Sequence, residues 1–172
     1  FISILDPAYN QNMSSTAKHS NIHYSAEFDH KLSVDFVWAP MVSNITTAMR
    51  TALRSGANYH LIAAGASYWD ALQGKSLPYY TNELEGLATE LAADAAARNT
   101  TKLVWIQPTV VVTDRLLTDE KREFMSEEVI QKHRAAFLSS PAAARFDTII
   151  DGTRASATKS SKPIDGIHYS DD

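Results

Sequence analysis

Short apolar runs of strand length alternate with apolar stripes at helical spacing along this 172-residue chain, and that alternation constrains the fold more than any other feature. Residues 33–38 have the β-branched and aromatic composition of a strand and stop at Pro40. Ile45, Ala48, Met49, Ala52 and Leu53 recur on one helical face between positions 44 and 55, and Gly56 supplies a C-terminal stop. Residues 61–64 read as a short buried strand ending at Gly65. Leu84, Leu87, Leu91 and Ala95 form the stripe of a helix that begins after Thr81-Asn82 and ends near Asn99. The run 103–106 is the next strand, closed by Pro108. Ser126-Glu127-Glu128 opens a helix through Leu138, its acids complementing the dipole, and 146–150 is the last strand. This order predicts one α/β domain over residues 1–172, with a mainly parallel sheet and helices on both faces. Two polar stretches, 10–31 and 154–162, read as loops.

Composition narrows the function. The net charge of -4 and the pI near 5.8 argue against a nucleic-acid partner, and no basic run interleaves with aromatics. No apolar run approaches the roughly 18 residues of a membrane span. The N-terminus has neither an initiator Met nor a basic stretch, so it is not a signal peptide. It reads as the end of an element begun upstream. With no cysteine, a disulfide framework is excluded, but a lumenal protein is not. Asn12-Met13-Ser14, Asn44-Ile45-Thr46 and Asn99-Thr100-Thr101 fit the N-glycosylation acceptor pattern, where chance predicts about one such match. That excess tilts the chain toward the secretory pathway.

In parallel sheets, sites gather at the carboxyl ends of strands. Gly65-Ala66-Ser67-Tyr68-Trp69-Asp70 stands at one such end, and its small residues let a backbone N–H approach a substrate oxygen, as an oxyanion hole requires. A tight structural turn packed by Trp69 is the plainer alternative. Asp165-Gly166-Ile167-His168 is a compact turn in which a carboxylate can orient an imidazole for general-base work. His19, His23 and His30 lie in a polar stretch without Cys or an ordered acid, so no metal centre is expected. His133 lies between Lys132 and Arg134, which suggests a solvated helix face. Asp147 and Asp151 flank a strand and read as its ends. There is no G-x-G-x-x-G, no Walker A and no cysteine nucleophile.

The series Val34-Asp35-Phe36-Val37-Trp38-Ala39-Pro40, Ala64-Gly65-Ala66-Ser67-Tyr68-Trp69, Val104-Trp105-Ile106-Gln107-Pro108, Met125-Ser126-Glu127-Glu128-Val129-Ile130 and Asp165-Gly166-Ile167-His168 runs through nearly the whole chain. It resembles the lumenal catalytic domain of the sialate O-acetyltransferase family, related to PC-esterases and to the SGNH hydrolase superfamily. The resemblance implies a three-layer α/β sandwich, incomplete at both ends, and a Ser-His-Asp triad whose Asp and His fall on Asp165 and His168. Gly65 and Ser67 fall on the block where many SGNH enzymes place an oxyanion-hole Asn; Ser67 departs from that pattern, and a backbone N–H would substitute. The family's nucleophilic Ser belongs to a Gly-Asp-Ser block, and no Gly-Asp-Ser occurs in this chain.

The resemblance therefore implies an O-acetyltransferase domain of the Golgi lumen whose acceptor is a hydroxyl of sialic acid or another glycan. The resemblance further implies that no cofactor is bound, that acetyl-CoA is the ultimate acetyl donor, and that contact with the membrane comes only through a multi-pass region outside this chain. Two alternatives stand beside this reading: a carbohydrate or lipid esterase of the same fold, and a non-catalytic glycan-binding domain that has lost its Ser block.

Overall fold

A computed structural model describes residues 21–27, 31–74, 76–95, 100–157 and 163–169, which fall into two compact units divided between Ala39 and Pro40. In the first unit, β1 (Ile22–Glu27) and β2 (Lys31–Phe36) form an antiparallel pair with Ile22 opposite Phe36 and Glu27 opposite Lys31. Asn21 accepts a hydrogen bond from the Trp38 amide at 2.8 Å, tying the two ends of the pair. Two expectations change here. Part of the stretch expected as a loop is a strand, and the strand expected over 33–38 pairs antiparallel with it. The alternation Ile22, Tyr24, Ala26 was the missed signal: polar neighbours hid a period of two.

The second unit holds a parallel sheet in the order β3 (Leu61–Ala64), β4 (Lys102–Ile106), β5 (Thr148–Ile150). Among the described residues six helices accompany it: α1 (Val42–Arg54), α2 (Tyr68–Leu72), α3 (Leu77–Ala93), α4 (Asp119–Phe124), α5 (Glu127–Ser139) and α6 (Gly152–Ala157). The chain is α/β. Pairing of Ala64 with Trp105, and of Trp105 with Ile149, puts these three side chains on one sheet face. That face is the core. Trp105 stacks on Phe137 of α5 with centroids 4.3 Å apart and meets Phe146 edge-on at 5.2 Å. The other face carries Leu61, Ile106 and Ile150, which are 57%, 44% and 44% exposed, so the helices cover the two faces unequally among the described residues.

Local chemistry sets the helix ends. Ser76 caps α3 by accepting from the Tyr79 amide, and Pro78 sits in the first turn, so the helix starts earlier than Thr81-Asn82. Asp151 Oδ1 accepts from the Thr153 and Arg154 amides at 2.9 and 3.2 Å, which starts α6 where residues 154–157 were expected as loop. Asp147 Oδ2 accepts from the Leu103 amide at 2.8 Å and joins the start of β4 to the start of β5. Arg50 and Arg54 of α1 reach Glu90 of α3 and Asp94 at its C-terminal cap, at 2.9 and 3.0 Å respectively.

Candidate active site

Asp165 and His168 form a closed unit. Asp165 Oδ1 accepts from the backbone amides of Ile167 at 3.1 Å and His168 at 2.9 Å, while Oδ2 meets His168 Nδ1 at 2.6 Å. Burial raises the Asp165 pKa, but the His168 amide, the His168 ring and the Ile167 amide outweigh it and hold the carboxyl down at about 2. An ionised carboxylate only accepts, so Nδ1 carries a proton, and in the neutral form of the ring the lone pair lies on Nε2. The imidazole is 83% exposed and the carboxylate 26%, so the ring is open to a reactant while the acid that orients it is sheltered.

The turn is possible because Gly166 adopts φ +88°, and a Cβ there would lie 2.9 Å from both Leu116 Cδ2 and the Val112 carbonyl. That close approach reflects tight docking on the segment after β4. The Val112 amide donates to the Gly166 carbonyl at 2.9 Å, the Tyr169 hydroxyl to the Val110 carbonyl at 3.0 Å, and Arg115 to the Pro163 carbonyl at 3.2 Å. Ile167 packs against a buried cluster of Ala71, Val111, Leu116, Met125 and Ile130. Tyr68, the first residue of α2, packs against the same cluster. The Asp165–His168 turn thus rests on the carboxyl-edge loop of β4, with residues from the β3 edge beneath it.

Gly65 and Ser67 occupy the strand-to-helix turn after β3. A Cβ at Gly65 would lie 2.5 Å from the Ile106 carbonyl, so only glycine lets the ends of β3 and β4 approach this closely. Ser67 has φ 134°, ψ −43° and is the only non-glycine residue with positive φ among those described. Its hydroxyl is buried and pairs with the Tyr80 hydroxyl at 3.1 Å. Asp165 and His168 are brought together; Ser67 shares no hydrogen bond with either among the described residues.

Several polar groups that matter here were not legible from the sequence. His133 and Arg134, expected on a solvated face, are 2% and 7% exposed. His133 Nδ1 donates to the Val129 carbonyl at 2.9 Å and its ring lies 4.5 Å from that of Tyr80. Burial lowers its pKa, against the opposing pull of the Val129 carbonyl. Asp70 is 1% exposed, with Oδ1 accepting from the Val42 amide at 3.3 Å and Oδ2 buried with no hydrogen-bond partner among the described residues. Burial pushes its carboxyl up to about 6, though the Val42, Asp70 and Ser67 amides oppose this. Tyr68 donates to the Thr109 carbonyl at 3.0 Å, and burial raises its phenol to about 12.

Of the N-glycosylation acceptor positions, Asn44 is exposed in the first turn of α1, whereas Asn12 and Asn99 lie outside the described residues. His19 and His30 also lie outside them, and among the described residues no group of three or more His, Asp or Glu converges as metal ligands. No described helix is long and apolar enough to cross a membrane. No family model, curated protein or solved structure matches this chain.

Proposed function

We propose that this chain carries the general base and its orienting acid for a serine-type O-acyltransferase of SGNH-like three-layer fold, acting on hydroxyls of sialic acid or another glycan in the Golgi lumen. The observation that carries this reading is the exposed His168 ring held through Nδ1 by an ionised Asp165 at 2.6 Å. A base needs a free lone pair, a fixed tautomer and a nearby negative charge to stabilise the imidazolium, and this pair supplies all three. The parallel sheet and the docking of the pair on the β4 edge agree with the family resemblance.

On this reading His168 Nε2 takes the proton of a serine hydroxyl as Oγ attacks the acetyl carbonyl. The imidazolium then returns that proton to the leaving group as the carbonyl–leaving-group bond breaks, giving an acyl-enzyme. His168 next deprotonates the sugar hydroxyl as it attacks the acyl carbon, and the imidazolium returns that proton to serine Oγ as the Oγ–acyl bond breaks, which regenerates the free serine. Acetyl-CoA is the ultimate acetyl donor. The serine belongs to a Gly-Asp-Ser block that these 172 residues do not contain, and is supplied from outside them.

In the full-length protein, His168→Ala is expected to lower acetyl transfer to purified glycans by several orders of magnitude, and Asp165→Asn by a similar order through loss of the tautomer. Near-normal transfer by His168→Ala at matched expression would overturn the proposal. It would favour the non-catalytic glycan-binding alternative, which draws on the inward-facing Ser67 hydroxyl and on the missing Gly-Asp-Ser. Release of free acetate at the full turnover rate, with no acetylated sugar, would instead identify an esterase.

A further inference from the structure

The Asp165–His168 turn makes none of its described backbone hydrogen bonds to the sheet; it hangs on the loop 110–116. That loop has no regular structure apart from a single 3₁₀ turn at Thr113–Arg115, so something else must hold it still. Two residues of α5, Glu127 and Arg134, are among its holders, beside Ser156 Oγ of α6, which accepts from the Val110 amide at 3.1 Å, and Arg122 of α4, which donates to the Leu116 carbonyl. Glu127 Oε2 accepts from the Val111 amide at 2.6 Å, and the Glu127 amide donates to Thr113 Oγ1 at 3.0 Å. Arg134 donates to the carbonyls of Thr109 at 3.0 Å and Pro108 at 3.4 Å. The two side chains are themselves ion-paired, Arg134 Nη2 to Glu127 Oε1.

Burial makes this arrangement unusual. Arg134 is 7% exposed on a helix whose outer face offers ample solvent. Placing a guanidinium there costs several kcal/mol of desolvation unless it is paired and hydrogen-bonded. Apolar residues would give a comparable core without that cost. What the ion pair adds is direction: Arg134 Nη1 meets two successive carbonyls while Nη2 holds the Glu127 carboxylate, which accepts from the next amide but one.

We propose that Glu127 and Arg134 are positioning residues for the His168–Asp165 pair, acting through residues 108–113. This rests on the functional reading above for its catalytic consequence, but not for its structural one. The chain of contacts is continuous. The Glu127–Arg134 pair sets Thr109 and Val111, Val111 precedes Val112, and the Val112 amide holds the Gly166 carbonyl between Asp165 and His168. Neither residue touches a reacting atom.

The test uses Glu127→Gln in the full-length chain, read by NMR of the His168 imidazole and by the titration of Asp165. Wild type is expected to show the Nδ1–H tautomer and a carboxyl titrating near 2. Glu127→Gln is expected to keep its far-UV circular dichroism while mixing the two tautomers and moving the Asp165 titration toward the ordinary range near 4. In the same variant kcat/KM should fall about 10- to 100-fold with a smaller change in KM, as a displaced base requires. A folded Glu127→Gln protein with an unchanged tautomer and unchanged Asp165 titration overturns the inference, whatever the activity. If the imidazole responds but His168→Ala leaves activity intact, the positioning stands and the enzymatic reading fails. Should Glu127→Gln not fold, amide exchange in the wild type decides. Val111 and Val112 are expected to exchange as one cooperative unit, and fast, independent exchange at Val112 overturns the inference.

Discussion

Two carboxylates in this chain are shifted in opposite directions, and each shift follows from what its oxygens face. Asp165 receives two amides and an imidazole and is held at about 2; Asp70 is sealed in the interior with one oxygen unpartnered among the described residues and is pushed up to about 6. Their effects on stability therefore occupy different pH windows. For Asp165 the folded pKa lies below the unfolded value of about 4, so its stabilisation is present above pH 4 and is lost as pH falls toward 2. For Asp70 the folded pKa lies above that value, so the folded state binds the extra proton and stability falls as pH rises from about 4 through 6. Asp70→Asn is expected to flatten that second slope, worth on the order of 3 kcal/mol over the window, as measured by urea unfolding at pH 4, 5, 6 and 7. Gly166→Ala tests the turn itself. Its φ of +88° and the 2.9 Å approach to the Val112 carbonyl predict a loss of about 1 to 3 kcal/mol, together with weakened His168–Asp165 pairing by NMR. The sequence showed Asp165 and His168 as a pair because three-residue spacing around glycine is local geometry. It did not show Asp70 or His133 as buried, because a lone polar residue on a helix carries no mark of what packs over it.

At the scale of elements, apolar spacing located α1, α3 and α5, misjudged their ends, and gave no sign of the short helices α2, α4 and α6. Ile45 and Met49 on α1 and Leu84, Leu87 and Leu91 on α3 are buried, as the stripes predict. The starts of α3 and α6 depend on the caps Ser76 and Asp151, and those signals were weaker than the stripes. The strands were legible only in part. β4 is buried at its three central positions and reads as an apolar run, whereas β1 lies in a polar stretch and was missed. The outer face of α1 also carries a prediction. Asn44 is exposed with Thr46 two residues on, so expression through the secretory pathway should attach one N-linked glycan there. Peptide-N-glycosidase treatment should remove about 2 kDa or more from that site, a typical core-glycan mass. Thr46→Ala should abolish the shift and Thr46→Ser should retain it. A protein without sugar at Asn44 after secretory expression would count against the lumenal assignment.

At the scale of the whole molecule, the parallel sheet is held from one side by an aromatic stack. Trp105 is 1% and Phe137 1% exposed, and their rings lie nearly parallel. Phe137→Ala is expected to cost about 3 to 5 kcal/mol in global unfolding by denaturant, since it opens a cavity beside the central strand. The sequence by itself determined the α/β class, because strand-length and helix-length apolar runs alternate and a β-α-β connection brings its strands together in parallel. It also determined the Asp165–His168 pairing, since the partners of the carboxylate all lie within four consecutive residues. Only the tertiary structure decided the rest: that residues 22–27 and 31–36 pair with each other, that the Ser67 hydroxyl faces Tyr80, and that Glu127 and Arg134 brace the loop under His168. The last two join residues whose pairing has no local signature, whereas the β1–β2 pair carries an alternation that its polar neighbours hide. Ser67 and Tyr80 are 13 positions apart, Glu127 and Val111 16, and Arg134 and Thr109 25; such partners are selected by which groups burial forces together, and periodicity along one segment does not encode that choice.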